Sequence, residues 1–316
     1  KVIAQVKHVA QTGTLNPKDV TVPGVFIDAI VVCDNPWEDH RQTSSWYFDP
    51  SYCGQLRVPQ GNIEPVLFNE RKFIARRGTM ELYPGAVINL GTGIPNDMVG
   101  KVCNEERVSE DVMITVESGI YGGVQAGGID FGIGQNLYAM IGHHEQMDYY
   151  NGAGVDITYM GLGELDEMGN VNSTKMGPRC TGAGGFIDIT QNAKKVVFLG
   201  TFTTGGARYR FENGRLVILE EGKIRKMVRQ VAQISFNGPL AREKRQPVFI
   251  VTERAVFELR EEGVVLTEIA PGIDLKTQVL DMMDFKPIVN RDLKEMDKRL
   301  FIQDGPFGLK EQMIQC

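Results

Sequence analysis

The stretch at residues 112–119, VMITVESG, places one acidic residue, Glu117, directly after a short apolar run. The run is rich in β-branched residues, which is typical of a strand buried on both faces of a parallel sheet. Ligands of such sheets bind just outside the carboxyl ends of the strands. Glu117 is therefore the first candidate for a functional side chain, and a carboxylate that only caps a turn is the alternative.

The segment after Glu117 is dense in glycine, with seven glycines between residues 119 and 134. Glycine has no side chain, so a ligand can come close to the backbone there. This composition predicts open space and accessible backbone N–H groups beside the Glu117 carboxylate.

The segment before residue 112 predicts a strand–loop–helix–strand unit. Residues 86–90 have the apolar character of a strand, and residues 96–106 carry their apolar side chains on one side of a helix. The strands at 86–90 and 112–116 should therefore be parallel. The loop between the first strand and the helix contains two glycines and leads into the helix start, which suits an anionic ligand. A purely structural tight turn is an equal alternative. The loop in question consists of Gly91, Thr92, Gly93, Ile94 and Pro95.

The rest of the chain continues the α/β pattern. Helices are predicted at 275–283 and 293–300. We predict an open, mostly parallel sheet flanked by helices, in a main domain at residues 81–316. Residues 1–80 are predicted to be a tail or connector with short strands at 2–9 and 25–32. The further predicted strands lie at 156–160, 196–199, 216–219, 228–236, 248–252 and 264–269.

The composition narrows the class of protein. The chain has 316 residues, of which 42% are hydrophobic and 23% charged, as expected for a folded globular protein. A net charge of −6 argues against a general nucleic-acid binder. No apolar run approaches the ~18 residues of a membrane span. The chain begins with Lys1 inside a strand-like alternation, from which we expect it to be part of a longer polypeptide.

Cysteine and histidine give no sign of a metal site. The five cysteines are scattered and odd in number, which predicts a reducing compartment, the cytoplasm, and no disulfide framework. His143 and His144 are neighbours and would point to opposite faces of a predicted strand, so a shared metal is not expected. No serine with a histidine base is evident.

Two further segments could contribute polar groups to a site. The turn at residues 169–173, GNVNS, contains Asn172, for which a turn-stabilising amide is the simpler alternative. A second turn exposes consecutive backbone N–H groups, and such a nest can hold a developing oxyanion. This second turn contains Gly182, Ala183, Gly184 and Gly185.

Glu117 is itself the natural nucleophile. A carboxylate with an ordinary pKa of ~4.3 is ionised at neutral pH and needs no activating base. A glutamate nucleophile forms an anhydride or an ester, which suits an activated substrate such as a thioester.

Together these motifs resemble the second half of a family I coenzyme A transferase, and among them most resemble the short-chain acetate or propionate CoA-transferases. The resemblance covers residues 80–310, with the motifs in the same order. Residues 1–80 resemble the end of the family's first half and its connector. Supporting stretches are GGIDFG at 127–132, NAKKVVF at 192–198, TERAVF at 252–257 and EIAPG at 268–272.

The resemblance implies a fold like that of ribose-phosphate isomerases and a ping-pong transfer of CoA between an acyl-CoA and a short carboxylic acid, as in short-chain fatty acid metabolism. It implies that Glu117 becomes a glutamyl-CoA thioester, with CoA as substrate and covalent intermediate and no permanently bound cofactor. By the same resemblance, the 182–185 backbone supplies oxyanion donors with Asn172 nearby, and the 91–95 loop contacts the CoA arm. Lys175, Arg179 and Arg208 are nearby in sequence and are candidates to meet phosphates, with solvated surface charge as the simpler alternative for each.

The resemblance also implies partners and leaves alternatives open. Two similar halves form the site in this family, so we expect a missing amino-terminal half or a complementary chain, and a homo-oligomer by analogy. The alternatives are an acyl-CoA hydrolase, a sugar-phosphate isomerase with Glu117 as general base, or a ligand sensor of the same fold.

Overall fold

A computed structural model describes residues 1–315 as two compact units that divide after Pro50. In the first unit, β1 (Ile3–Val6) pairs in parallel with β2 (Ala29–Val32), and a short helix α1 (Pro36–Asp39) follows. Ile30, Val31 and Val32 of β2 are exposed. This unit therefore has little apolar core of its own.

The second unit contains the remaining elements. Its helices are α2 (Glu70–Thr79), α3 (Gly100–Glu105), α4 (His143–Gly152), α5 (Phe186–Asn192), α6 (Gly238–Glu243), α7 (Leu275–Gln278) and α8 (Leu309–Gln315). Its strands are β3 (Val87–Leu90), β4 (Met113–Val116), β5 (Ile120–Tyr121), β6 (Val124–Gln125), β7 (Gly134–Gln135), β8 (Ala139–Met140), β9 (Ile157–Gly161), β10 (Glu164–Leu165), β11 (Val171–Asn172), β12 (Lys175–Met176), β13 (Arg179–Cys180), β14 (Lys195–Leu199), β15 (Thr203–Thr204), β16 (Arg208–Glu212), β17 (Arg215–Glu220), β18 (Ile224–Arg225), β19 (Val248–Val251), β20 (Ala255–Arg260), β21 (Gly263–Ile269) and β22 (Ile288–Glu295).

A ten-stranded sheet organises this unit, in the order β22-β21-β20-β19-β14-β9-β3-β4-β5-β8. The five strands β4, β3, β9, β14 and β19 are mutually parallel and form its centre. Antiparallel pairing adds β5 and β8 on one side and β20 and β21 on the other, where β22 then pairs with β21 in parallel. The central strands are buried because they are continuous apolar runs packed on both faces. The predicted α/β class with an open, largely parallel sheet is confirmed.

The order of the five central strands fixes where a ligand can bind. Numbered along the chain, they follow the doubly wound order 2-1-3-4-5, with the change of direction between β3 and β9. Loops leave the sheet in opposite directions at such a switch point and open a crevice at the carboxyl ends of the strands. The loops after β3, β4, β9 and β14 all reach this edge.

The compact unit begins earlier than the predicted boundary at residue 81. Helix α2 belongs to it, with Phe73 and Ile74 fully buried in the core. The Arg77 side chain makes a two-pronged pair with Glu268, at 2.7 and 2.9 Å. Asn69 caps the helix by accepting the Lys72 backbone N–H. Burial of this helix therefore draws residues 51–80 into the main unit.

Two predicted elements are wrong. Residues 228–236 form an irregular segment, not a strand, although an isolated bridge joins Phe236 to Val171. Residues 293–300 are not a helix: β22 pairs with the edge of the sheet up to Glu295, and a 3₁₀ turn follows at Lys298–Phe301. Met296, just after β22, and Leu300, in the 3₁₀ turn, are buried without a helix, because pairing with β21 outweighs local propensity.

The predicted helix at 96–106 begins differently from an ordinary α-helix. Its first turn, Pro95–Val99, is a π-type turn, and regular α3 follows. The Asn96 backbone N–H donates to the Gly91 carbonyl at 3.0 Å, which makes the wide turn. Within residues 1–315, no helix combines the length and apolar character needed to cross a bilayer.

Candidate active site

A cleft of about 670 Å³ lies at the carboxyl edge of the parallel strands. Glu117, from the end of β4, lines it together with the glycine-rich turn at residues 182–185. The structure thus brings together residues that the sequence separates by more than sixty positions. The cleft is lined by Glu70, Arg71, Gly91, Thr92, Gly93, Ile94, Glu117, Phe131, Met160, Gly161, Leu162, Gly163, Ser173, Met176, Thr181, Gly182, Ala183, Gly184, Gly185, Phe186, Leu199, Gly200, Thr201, Thr203, Thr204, Gly205, Gly206, Ala207, Tyr209 and Lys226.

Glu117 is half-buried and has no ion-pair partner among residues 1–315. Burial raises the pKa of its carboxyl group, while the charge of His143 and a hydrogen bond from the Gly185 backbone N–H act in the opposite direction. The raised pKa makes the carboxylate a stronger base and nucleophile than an exposed glutamate.

The glycine-rich turn approaches the Glu117 carboxylate as closely as a backbone can. A Cβ atom on Gly185 would lie 2.6 Å from Oε2 of Glu117, and one on Gly184 would lie 3.9 Å from Oε1. Gly184 has φ of +51°, and Gly185 follows in the right-handed region. An alternation of this kind can direct successive N–H groups to one side, as in the backbone nests that bind anions.

The loop after Glu117 is fixed beside the site. The Ser118 hydroxyl donates to the Gly132 carbonyl at 2.7 Å. This contact holds the 127–134 segment against the end of β4 and leaves Phe131 lining the cleft. The sequence reasoning did not single out Phe131.

A buried polar network holds the strands under the site in register. The Thr115 hydroxyl lies 2.8 Å from the Tyr150 hydroxyl, and the Asn89 side-chain amide donates to the same oxygen at 3.0 Å. Thr158 donates to the Asn89 carbonyl oxygen at 2.9 Å, so β4, β3 and β9 are linked. Burial raises the pKa of Tyr150 to about 12, which keeps it a neutral hydrogen-bonding group.

The loop after β3 forms another wall of the cleft. The Gly91 backbone N–H donates to the Tyr159 carbonyl at 2.8 Å, and a Cβ on Gly91 would collide with the Met160 sulfur. Gly93 has φ of +92° and faces open space. Residues 91–94 line the cleft, whereas Pro95 lies behind them, buried at the start of the π-type turn.

Asn172 does not line the cleft. Its amide donates to Glu164 at 2.7 Å and to the Lys175 carbonyl at 2.6 Å. Its oxygen accepts the backbone N–H groups of Thr174 and Lys175. The side chain is fully engaged in shaping the turn, so the structure assigns it a structural position and not direct contact with a ligand.

The three basic residues suggested for phosphates also lie outside the lining of the cleft. Lys175 and Arg179 are exposed on the β12–β13 hairpin. Arg208 pairs with Glu220 at 2.8 Å on an exposed hairpin. Two cations line the cleft: Arg71, which pairs with Asp97, and Lys226, which carries no distinguishing sequence signal.

The interpretation of His143 and His144 as strand residues is wrong, because both lie in the first turn of α4. Glu145 accepts the Gly142 backbone N–H at 2.8 Å, as in a capping box. The order Gly142, two histidines and Glu145 could have indicated a helix start. Among residues 1–315, no group of three His, Cys, Asp or Glu side chains could hold a metal ion.

Curated relatives are CoA-transferases, whereas no protein-family model matches the chain. Caffeate CoA-transferase of Acetobacterium woodii is 42% identical over 308 residues, covering 95% of this chain and 58% of that protein. Acetate CoA-transferase YdiF of Escherichia coli K12 is 40% identical over 310 residues, covering 97% and 57%. The chain thus spans somewhat more than half of these relatives.

A shorter relative and two solved structures are also similar to this chain. The acetate CoA-transferase subunit beta of Haemophilus influenzae is 30% identical over 253 residues, covering 72% of this chain and 96% of that protein. The apoenzyme of the acyl-CoA transferase YdiF from Escherichia coli O157:H7 superposes with a TM-score of 0.85 at 38% identity, covering 96% of this chain and 56% of that one. Its thioester complex with CoA gives 0.82 at 38%, covering 97% and 56%.

Glutaconate CoA-transferase from Acidaminococcus fermentans shares the fold, with a TM-score of 0.57 at 19% identity, covering 78% of this chain and 94% of that one. The beta-subunit relative is 30% identical and is matched over 96% of its length, and the two YdiF structures share the fold. On these grounds, the chain belongs to the family I coenzyme A transferases.

Proposed function

We propose that this chain carries the nucleophilic part of a short-chain acyl-CoA:carboxylate CoA-transferase that works through a glutamyl-CoA thioester on Glu117. The observation that carries the proposal is the Glu117 carboxylate itself, which is free of ion pairs among residues 1–315 and in contact with the Gly185 backbone inside the cleft. The caffeate and acetate CoA-transferase relatives, and the CoA thioester complex of YdiF, support the same reaction class.

The reaction would begin with attack of a Glu117 carboxylate oxygen on the thioester carbonyl of an acyl-CoA. The C–S bond breaks, the CoA thiolate departs, and Glu117 is left as an acyl-glutamyl anhydride. The thiolate then attacks the glutamyl carbonyl and expels the acyl group as a carboxylate. Glu117 is now the glutamyl-CoA thioester. A second carboxylate reverses both steps and departs as the new acyl-CoA, so that Glu117 is regenerated.

The first step is the difficult one, since a carboxylate is a better leaving group than a thiolate. The ordinary pKa values of ~4.3 and ~8.5 correspond to roughly 5–6 kcal/mol against the forward direction. Burial narrows this gap by raising the pKa of Glu117. The N–H groups of the 182–185 turn would offset more of this free-energy difference, since one strong oxyanion donor contributes about 3–4 kcal/mol.

CoA would act as substrate and covalent intermediate, without a permanently bound cofactor. Its arm would run from Glu117 past residues 91–94 and along the strand ends. We also propose that an amino-terminal half or a complementary chain completes the acid-binding side of the cleft, because the chain spans only 57–58% of the two longer relatives.

Intact mass after incubation with acetyl-CoA or propionyl-CoA tests the proposal. We expect an increase of one CoA less one water in the wild-type protein, and no increase in Glu117→Gln. Glu167→Gln, an exposed carboxylate that does not line the cleft, is the matched control and should keep the adduct. A wild-type protein of full length that forms no adduct would contradict the transferase assignment.

The same incubation separates the alternatives. Release of free CoA without an acceptor acid would favour a hydrolase. CoA binding without a covalent adduct would favour a sensor, and turnover of a sugar phosphate without any CoA adduct would favour an isomerase.

A further inference from the structure

Lys226 is a buried cation without a partner. Lys226 is 8% exposed and lines the cleft. Its ammonium group forms no hydrogen bond or ion pair within residues 1–315. A Cβ on Gly200 would lie 2.9 Å from its Nζ atom, so the ammonium sits at the carboxyl end of β14. The other strongly buried cations have partners: Arg254, Arg77 and Lys72 pair with glutamates, and Arg76 donates to the backbone carbonyls of Ile302 and Gly305.

A buried charge without a partner is unfavourable, and proteins almost always pair such groups. Burial lowers the pKa of Lys226 to about 8, although the charge of Glu253 opposes this. Most of the amine is therefore still protonated at neutral pH. An anion that enters the cleft would supply the missing partner.

The distance from Glu117 indicates which anion this is. Glu117 follows β4, and Lys226 lies at the end of β14, three strand positions away. Neighbouring strands lie about 4.8 Å apart, so the two groups are separated by roughly 14 Å. The reacting carboxylates must lie at Glu117, which places them out of reach of Lys226.

The pantetheine arm of CoA spans this separation. Thirteen bonds connect its sulfur to the first phosphorus, and an extended chain advances about 3.3–3.6 Å for every three bonds, which gives roughly 14–16 Å. The arm itself is neutral and cannot neutralise an ammonium ion. The first negative charges along CoA from the sulfur are those of its diphosphate.

We propose that Lys226 binds the diphosphate of CoA while the thioester lies at Glu117, and so positions the substrate along the cleft. This inference rests on the proposed function. It makes Lys226 a determinant of the preference for CoA over shorter thioesters that lack the diphosphate.

The test compares Lys226→Met with wild type in the full-length protein, using acetyl-CoA, acetyl-dephospho-CoA and acetyl-pantetheine. A hydrogen bond to a charged group is worth roughly 10- to 100-fold, so kcat/KM should fall by about this factor for both substrates that carry the diphosphate. The value of kcat/KM should be nearly unchanged for acetyl-pantetheine, which lacks the diphosphate. Lys223→Met removes the same charge from an exposed position outside the cleft and should change none of the three values.

Three results would overturn the inference: an equal loss with acetyl-pantetheine, no loss with any substrate, or a loss with acetyl-CoA that disappears with acetyl-dephospho-CoA. The last would identify the 3′-phosphate as the partner. If Lys226→Met does not fold, Lys226→Gln takes its place. Failure of the proposed function is separate, since it would appear as a missing CoA adduct on the wild-type protein.

Discussion

Two glutamates follow parallel strands of the same sheet at the same edge, yet they have opposite surroundings. Glu117, after β4, is half-buried in the cleft, and the Gly185 backbone N–H is its hydrogen-bond donor. Glu253, near the end of β19, is fully buried. Its carboxylate accepts hydrogen bonds from Nε of Arg254 and from the backbone N–H of Phe202, both at 2.8 Å.

The residues that follow each glutamate explain the difference. Ser118 and Gly119 add no charge beside Glu117, so its neighbours are backbone atoms and the cleft. Arg254 neutralises Glu253 and also makes two 2.8 Å contacts with Glu221. A strand-end carboxylate is available for chemistry when no cation follows it, and it becomes part of the scaffold when a cation is beside it.

Glu117→Gln gives the largest expected effect. CoA transfer should fall by roughly 10³-fold or more, as for removal of other nucleophiles. Thermal stability should be equal or higher, because a raised folded-state pKa means that the ionised carboxylate destabilises the fold at neutral pH. Transfer kinetics and a thermal melt check both parts. A variant that keeps its activity would remove the distinction between the two glutamates.

Glu253→Ala should have the converse effect on folding. Removing one partner of a buried ion pair costs about 3–5 kcal/mol, because Arg254 would lose one of its two carboxylates. Denaturant unfolding measures the loss. Glu258→Ala breaks a partly exposed pair with Arg260 and should cost less than about 1 kcal/mol. Equal losses in the two variants would contradict the structural role assigned to Glu253.

Gly185→Ala tests how closely the turn must approach Glu117. Its φ of −79° suits alanine, so the added methyl group acts through its contact with the carboxylate at 2.6 Å and, more weakly, with the terminal methyl group of Ile189 at 3.1 Å. A displacement of about 1 Å can lower activity by roughly 10²-fold, and we expect a loss of 10- to 100-fold in CoA transfer with little change in stability. Gly152→Ala, at the end of α4 with no atom within 4 Å of the new methyl, is the control and should leave transfer unchanged.

The pH dependence of adduct formation should show the smallest effect. Glu117 reacts as the carboxylate, and its pKa is raised by burial, so the rate should fall on acidification at a higher pH than an exposed glutamate would require. His143 acts against this rise. His143→Ala should therefore move the acid limb to still higher pH and leave the rate above it unchanged. His144→Ala is the control, and an acid limb that does not move in His143→Ala would exclude the electrostatic contact.

The central strands could be predicted because each is a continuous apolar run. The predictions at 86–90, 112–116, 156–160, 196–199 and 248–252 match the parallel strands closely. Elements at the margin could not be predicted equally well. The predicted helix at 293–300 instead comprises the end of edge strand β22 and a 3₁₀ turn, because the pairing of β22 with β21 is a long-range contact.

The sequence by itself determined the α/β class, the family resemblance and Glu117 as the candidate nucleophile, since a buried apolar run followed by Glu-Ser-Gly is a local pattern. Only the tertiary structure decided that Asn172 shapes a turn, that His143 lies in a helix from which its charge acts on Glu117, and that Lys226 is a buried cation in the cleft. Burial and charge pairing depend on residues far apart in the chain. They become defined only when the strand order brings those residues to one edge of the sheet.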